Sequence, residues 1–310
     1  MALAEFNLIK QFFTRSAQNK CTRLSVGDDC ALLAVPEGYE LAITTDTMVE
    51  NVHFFSDVRP EQLGYKLLAV NLSDLASMGA EPMAITLALT MPEVDSGWLA
   101  AFADGLFALA DKYQIDLIGG DTSSGPLTLS IQAMGLVPKN QALKRAAARV
   151  GDLIYVTGYL GDAGLGLKIK QGYAGQNTQQ ALQRFNMPEP RVEEGLAIRS
   201  LANACIDISD GLAQDLGHIL KCSKVGARLD YAQIPMSEAV LDYMLETGDW
   251  QMPLVAGDDY ELCFTITPES ASKLDISCTC IGIIEELPGL RLIRNDVCVN
   301  FNKSGFEHFA

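Results

Sequence analysis

Carboxylates recur along this chain beside glycines, serines and threonines, each time close to an apolar run. They stand in "VGDDCA" from residue 26, "TTDTMVENVHF" from 44, "NLSDLASMGA" from 71, "IGGDTSSG" from 118, "IDISDGL" from 206 and "AGDDYELCF" from 256. Any one of these reads equally well as a turn or a helix cap, where Asp next to Gly or Ser is ordinary chemistry. Six of them place charge where Asn, Ser or Gly would turn the chain as well. Carboxylates brought together raise one another's pKa unless a cation neutralises them. Oxygen donors without paired His or Cys select magnesium or calcium over zinc, and no EF-hand loop is present. Mg²⁺ on a few carboxylates completes its shell with water and phosphate oxygens. The acidic motifs therefore point to a phosphate-bearing substrate held through metal ions.

The common nucleotide signatures are missing. "GDAGLGLK" from residue 161 misplaces the glycines of a P-loop and lacks its Ser or Thr. No G-x-G-x-x-G follows a strand, no protein-kinase set occurs, and three histidines leave few candidates for a hydrolase triad. "GGDTSSG" is the best phosphate loop: its paired glycines let backbone N–H groups approach an oxyanion beside an Asp.

The elements that must carry these residues alternate between helix and strand. A short amphipathic helix is expected over 5–15, and strands at 31–35 and 40–45, the second ending at Asp46. Pro60 opens a long helix whose Leu63, Leu67, Leu68, Leu72, Leu75 and Ala76 recur at helical spacing, with Gly79 closing it. Asp74 lies inside that helix. A strand at 83–90, a helix over 96–112 capped by Asp95 or Ser96, and strands at 115–118 and 127–137 complete the first half. A polar connection follows over 139–152. Beyond it come the strand "DLIYVTG", a Gly-rich turn into a helix, and a polar helical region over 176–203. A strand–turn–helix unit, capped by Ser209 or Asp210, carries "DISDG". Further strands are expected at 226–230, 253–257, 260–266, 278–284 and 290–294. The pattern is α/β throughout, in two domains, 1–148 and 149–310.

Composition narrows the partners. Of 310 residues, 48% are apolar and 20% charged, an ordinary globular balance. Lys and Arg number 23 against 39 Asp and Glu, so the net charge is 23 − 39 = −16. With no basic run to meet a phosphate backbone, the balance argues against nucleic acid as a partner. No apolar stretch is long enough to cross a bilayer, and the start "MALAEFNLIK" is no signal peptide, which suits a cytoplasmic protein. The eight cysteines are scattered and read as buried free thiols rather than metal ligands.

In this order and over nearly the whole chain, "GDDCALL", "TTDTMVENVHF", "NLSDLASMGA", "GGDTSSGP", "DISDGL" and "GDDYELCF" resemble the thiamine-monophosphate kinases. These are members of a superfamily that includes aminoimidazole ribonucleotide synthetase and selenophosphate synthetase. The resemblance implies two α/β domains of the aminoimidazole ribonucleotide synthetase-like fold, with the N-terminal one making the contact of a homodimer. It implies Mg²⁺-dependent transfer of a phosphoryl group from ATP to thiamine monophosphate, giving thiamine diphosphate. Carried onto this sequence, the metal ligands fall on Asp29, Thr44, Thr45, Asp46, Asp74, Asp121, Asp207 and Asp210. The ATP contacts fall on Gly120, Asp121, Arg145 and Ser209. The substrate contacts fall on His53, Asp258 and Phe306; relatives often carry Glu where Asp258 stands, and Tyr or Trp where Phe306 stands. No general base is implied, because the acceptor is already an ionised phosphate oxygen. Two rival readings are another ATP-dependent member of the superfamily and a non-catalytic Mg²⁺–nucleotide binding module. Residues 1–25 lack the reactive Cys in a Gly-rich setting that selenophosphate synthetases share.

Overall fold

The computed structural model describes residues 5–176, 178–301 and 304–305. It divides into two compact units: residues 1–75 with 80–140, and residues 76–79 with 141–310. The eight cysteines are free; Cys21, Cys205 and Cys263 are buried, whereas Cys30, Cys222 and Cys298 are exposed. Among the described residues, no helix is long and apolar enough to cross a membrane.

The first unit opens with a helical turn, α1 (Glu5–Leu8), continued by a π turn over Ile9–Phe13. A small hairpin follows, of β1 (Thr22–Leu24) and β2 (Leu32–Leu33). The main sheet comprises β3 (Tyr39–Val49), β4 (Glu81–Met91), β5 (Asp116–Ser124) and β6 (Thr128–Pro138), in the order β3-β6-β4-β5. Only the β4–β5 pair is parallel. It is joined by the crossover helix α3 (Ser96–Lys112), which Asp95 caps through the N–H groups of Gly97 and Trp98. The long helix α2 (Pro60–Ser77) ends as expected at Gly79, where Gly79 N–H reaches Ala76 and Ala80 N–H reaches Leu75. Leu67, Leu68, Leu72 and Leu75 of α2 and Leu99, Phe102 and Leu106 of α3 are fully buried and belong to the core of this unit.

Two strands are longer than their apolar runs. β3 was expected to end at 45, but it stays paired with β6 down to Val49↔Thr128, so Asp46 lies inside a strand and opposite Ile131. Threonines are β-branched and suit the pleat as well as Ile does. β5 likewise runs on through "GGDTSS", accommodated by a register shift at Ile85/Thr86 of β4.

The second unit is built on a seven-stranded sheet, in the order β13-β12-β9-β11-β7-β10-β8. Its strands are β7 (Leu153–Thr157), β8 (Ala204–Asp207), β9 (Gly226–Asp230), β10 (Leu262–Ile266), β11 (Cys278–Glu285), β12 (Gly289–Arg294) and β13 (Val297–Val299). Only β9 and β12 pair in parallel. Around it lie α4 (Asp162–Lys170), α5 (Gln179–Asn186), α6 (Val192–Ile198), α7 (Leu212–Ser223), α8 (Glu238–Thr247), α9 (Met252–Val255) and α10 (Pro268–Ala271). Ile206, Leu216, Ile219, Leu229, Cys263 and Ile284 belong to its core. The expected strand at 253–257 is instead the short helix α9: Pro253 fixes φ at a first-turn position and starts a helical turn in an apolar run.

Candidate functional site

In the first unit the acids are placed by two periodicities meeting. Residues two apart on a strand share a face, and residues three apart on a helix share a face. Thr44 and Asp46 of β3 therefore look toward α2, which presents Asn71 and Asp74. The Thr44 hydroxyl donates to Asp74 Oδ2. Asn71 Oδ1 accepts the Asp46 N–H at 3.2 Å, while its amide nitrogen donates to the Leu67 carbonyl at 2.9 Å. Asn71 is fully buried, and Asp46 and Asp74 are half-buried. Burial, reinforced by the charge of Asp74, pushes the Asp46 carboxyl up to about 7. Two carboxyls, one raising the other in a half-buried place, are an arrangement a bound cation would stabilise.

The alternation that brings Thr44 inward turns Thr45 to the opposite, exposed face with Thr47, which shares a hydrogen bond with Ser130. The Thr45 side chain is therefore not part of the Asp46–Asp74 cluster. Asp29 is exposed, and its N–H is held by Asp28 Oδ1 at 2.9 Å. On β5, Gly120 sits where a Cβ would meet the Leu87 carbonyl at 1.8 Å, so only glycine fits. Asp121 is exposed and accepts a hydrogen bond from Ser123 at 2.9 Å. His53 lies in the turn after β3, where its Nδ1 accepts the Val49 N–H at 3.0 Å. That contact leaves the proton of the neutral ring on Nε2, a donor.

In the second unit Asp207 is the buried last residue of β8, and Ser209 and Asp210 follow in the loop before α7. Neither Ser209 nor Asp210 caps α7, whose N-cap position is Gly211 with no side-chain cap; Asp215, within the first turn of α7, instead holds the loop ahead of the helix. Its Oδ2 accepts the N–H groups of Ser209, Asp210 and Gly211, at 3.1, 3.0 and 3.0 Å. One carboxylate oxygen thus shapes the whole "SDG" loop. Burial and the charge of Asp210 push Asp215 up to about 7, against the pull of those three N–H groups. Asp210, Asp215 and His218 bring a donor atom each within 4.8 Å of one another. Arg145 is exposed in a 3₁₀ turn, and its carbonyl accepts the Ser223 hydroxyl at 2.8 Å.

The "GDDYE" segment is anchored at alternate residues. Asp259 is buried at the start of α4, where it accepts the N–H of Gly161 at 2.9 Å. Burial drives its carboxyl well above the ordinary range despite that contact. Glu261 is fully buried and held by the Arg191 fork at 2.6 and 2.7 Å, by Arg184, and by the Thr157 hydroxyl at 2.6 Å. Asp258 and Tyr260 between them have left-handed backbones, with φ of 68° and 50°. Their N–H groups bond to Ser209 and Ile208 carbonyls, each at 2.8 Å, and the Tyr260 hydroxyl donates to Asp258 Oδ1 at 3.0 Å. Phe306 lies outside the described residues. Sequence reasoning did not single out Asn71, Gln214, Tyr260 or Glu261; the spacing Asn71-x-x-Asp74 was the one readable signal among them.

Two sheet units that each present clustered carboxylates, from β3, α2 and β5 in the first and from the end of β8 and the loop before α7 in the second, define a class. Residues 27–137 match the family model "AIR synthase related protein, N-terminal domain", and residues 149–275 match "AIR synthase related protein, C-terminal domain". The chain belongs to the AIR synthase related family. Relatives similar to this chain over its full length include thiamine-monophosphate kinases. That of Haemophilus influenzae is 46% identical, over 100% of this chain and 99% of the relative. The crystal structure of the enzyme from Stenotrophomonas maltophilia is 43% identical, with a TM-score of 0.85 over 94% of this chain and 97% of that one. A structure of AaThiL complexed with AMPPCP and TMP is 29% identical, with a TM-score of 0.80 over 100% and 99% of the two chains.

Proposed function

We propose that this protein is an ATP-dependent kinase of thiamine monophosphate, which forms thiamine diphosphate. The observation that carries the reading is full-length similarity to thiamine-monophosphate kinases at 46% identity, together with the acidic donor set that phosphate chemistry requires. The donor set fits Mg²⁺: carboxylates and hydroxyls, with Asp46 and Asp74 confronting each other in a half-buried place. In the first unit, Asp46, Asp74 and Thr44 would hold one ion, with Asp29, Asp121 and the backbone at Thr45 as further donors; in the second unit, Asp207 and Asp210 are the donors for another. When bound, Mg²⁺ supplies neutralisation of the charge spread over the phosphate oxygens.

The remaining chemistry belongs to the chain. Asn71 fixes the Asp46 backbone and Asp215 fixes the loop of Ser209 and Asp210, so the carboxylates are set before substrate arrives. Gly120 and Asp121, Arg145 and Ser209 take the ATP side. His53 offers Nε2–H as a donor to the acceptor phosphate, and Asp258 and Phe306 take the thiamine side. Attack comes from an oxygen of the monophosphate, already ionised at neutral pH, so no base is needed and the protein contributes in-line positioning. The cytoplasm is the compartment that this reading asks for. A homodimer through the first unit is supported by the outer face of its sheet. There, Met83, Ile118, Met134 and Leu136 are buried with Cys21, and partly buried Leu33 packs against them, while Leu41 and Ile43 of the edge strand β3 stay exposed.

The test is ATP consumption with thiamine monophosphate, with thiamine and with no acceptor. Turnover with the monophosphate alone is expected. Equal turnover with thiamine would contradict the missing base, and turnover with neither would leave a nucleotide-binding module.

A further inference from the structure

The side chain of Gln214, in the first turn of α7, holds two partners at once. Its Nε2 donates to Asp210 Oδ2 at 3.0 Å. Its Oε1 accepts the backbone N–H of Gly305 at 2.6 Å. The orientation of the amide is dictated by these partners: turned over, it would set donor against donor and oxygen against carboxylate. Gly305 is also seated directly on the same loop. A Cβ at 305 would stand 2.0 Å from the Asp210 carbonyl oxygen and 3.3 Å from Gln214 Cβ, so no other residue fits there unshifted.

We propose that Gln214 is a positioning residue that couples seating of the chain at Gly305 to cation binding at Asp210. The inference rests on the cation role given to Asp210 above. A cation on that carboxylate fixes its rotamer. The fixed acceptor fixes the Gln214 amide, and the fixed amide presents Oε1 to the Gly305 N–H. By linkage the effect is reciprocal: a seated segment favours the cation by the same factor.

Limited trypsin digestion reads this without any turnover. Cleavage after Lys303 releases residues 304–310, and the released peptide is followed by mass spectrometry. In the wild type, MgCl₂ alone is expected to slow release about threefold or more. Gln214→Met keeps the length and helix preference of the side chain but loses both hydrogen bonds. It should release the peptide about fivefold faster without Mg²⁺, one hydrogen bond being worth roughly a two- to thirteenfold change in such an equilibrium. Its response to Mg²⁺ should vanish. Gly305→Ala should do the same from the other side of the contact, with the melting temperature of both variants unchanged. Wild-type rates and Mg²⁺ protection in Gln214→Met would overturn the coupling, as would a wild type indifferent to Mg²⁺. No thiamine compound enters the assay. A protein inactive on thiamine monophosphate that shows the expected protection would keep the coupling and lose the reaction.

Discussion

Asp46 shows how a single carboxyl can be held in tension by its fold. Burial and Asp74 raise its pKa from 3.8 to about 7. Below pH 3.8 the group is protonated whether the chain is folded or not, and it favours neither state. Between 3.8 and 7 the folded protein holds a proton that the unfolded chain releases, so stability falls as pH rises through that window and stays lower above it. Asp46→Asn removes the titration. Without metal, the variant should melt about 2 °C or more above the wild type at pH 8, with the gap closing below pH 4. Adding Mg²⁺ should raise the wild type by more than the variant, which keeps only the donors at Asp207 and Asp210 intact. The same variant should lose roughly a hundredfold or more in kcat, since a neutral amide cannot balance the cation. A wild-type melting curve indifferent to both pH and Mg²⁺ would remove Asp46 from the metal site.

At the same scale, Asp258 is oriented by a neighbour that sequence alone did not suggest. The Tyr260 hydroxyl reaches its carboxylate, and both residues hold left-handed backbones. A tyrosine in that region costs on the order of 1 kcal/mol, offset here by the bond from its N–H to Ile208. Tyr260→Phe is expected to raise KM for thiamine monophosphate roughly two- to tenfold while leaving KM for ATP unchanged. Combined with Asp258→Ala it should add nothing, because the hydroxyl acts through the carboxylate. Additive losses in the steady-state cycle would make Tyr260 a structural residue only.

Elements explain why some of this was legible and some was not. Helix α2 could be read from its leucine spacing and its glycine stop, and the helix placed Asp74 inside it as expected. The length of β3 could not be read, because pairing with β6, rather than local hydrophobicity, carries that strand past Asp46. The seat of Asp259 at the start of α4 depends on a contact 98 residues away, which no local pattern encodes. The same is true of Glu261, fully buried beneath Arg184 and Arg191. Beside Gly and Asp it looks like one more turn acid, yet it fastens β10 to the segments carrying α5 and α6. Removing its charge leaves two guanidinium groups facing a buried amide. Glu261→Gln should therefore lower stability by about 3 kcal/mol, seen as a lower denaturant midpoint at unchanged slope. A shift below about 0.5 kcal/mol would show the pair to be solvated in solution.

For the whole molecule, the question is what covers the outer face of the first unit's sheet. β3 is an edge strand, and edge strands left open invite pairing with another chain. Its outward residues run Tyr39, Leu41, Ile43, Thr45 and Thr47, with Ile43 at 55% exposure. Opposite Leu41 and Ile43, Leu136 and Met134 are buried by contacts around Cys21 and Leu33. The apolar surface thus continues from a covered region to an uncovered one along a single sheet face. A net charge of −16 would drive copies apart unless that surface were apolar and neutral, and Leu41, Ile43 and the two threonines are both uncharged and close together. The homodimer proposed above would set a second copy of the chain on this surface. Ile43→Lys sets a like charge on each copy at the centre of such a contact. Because its side chain is already outside the core, it should leave the fold intact. Sedimentation velocity is expected to give a dimer for the wild type and a monomer, or a dimer weakened at least tenfold, for the variant, with circular dichroism unchanged. Identical sedimentation of the two would place the dimer contact elsewhere or remove it.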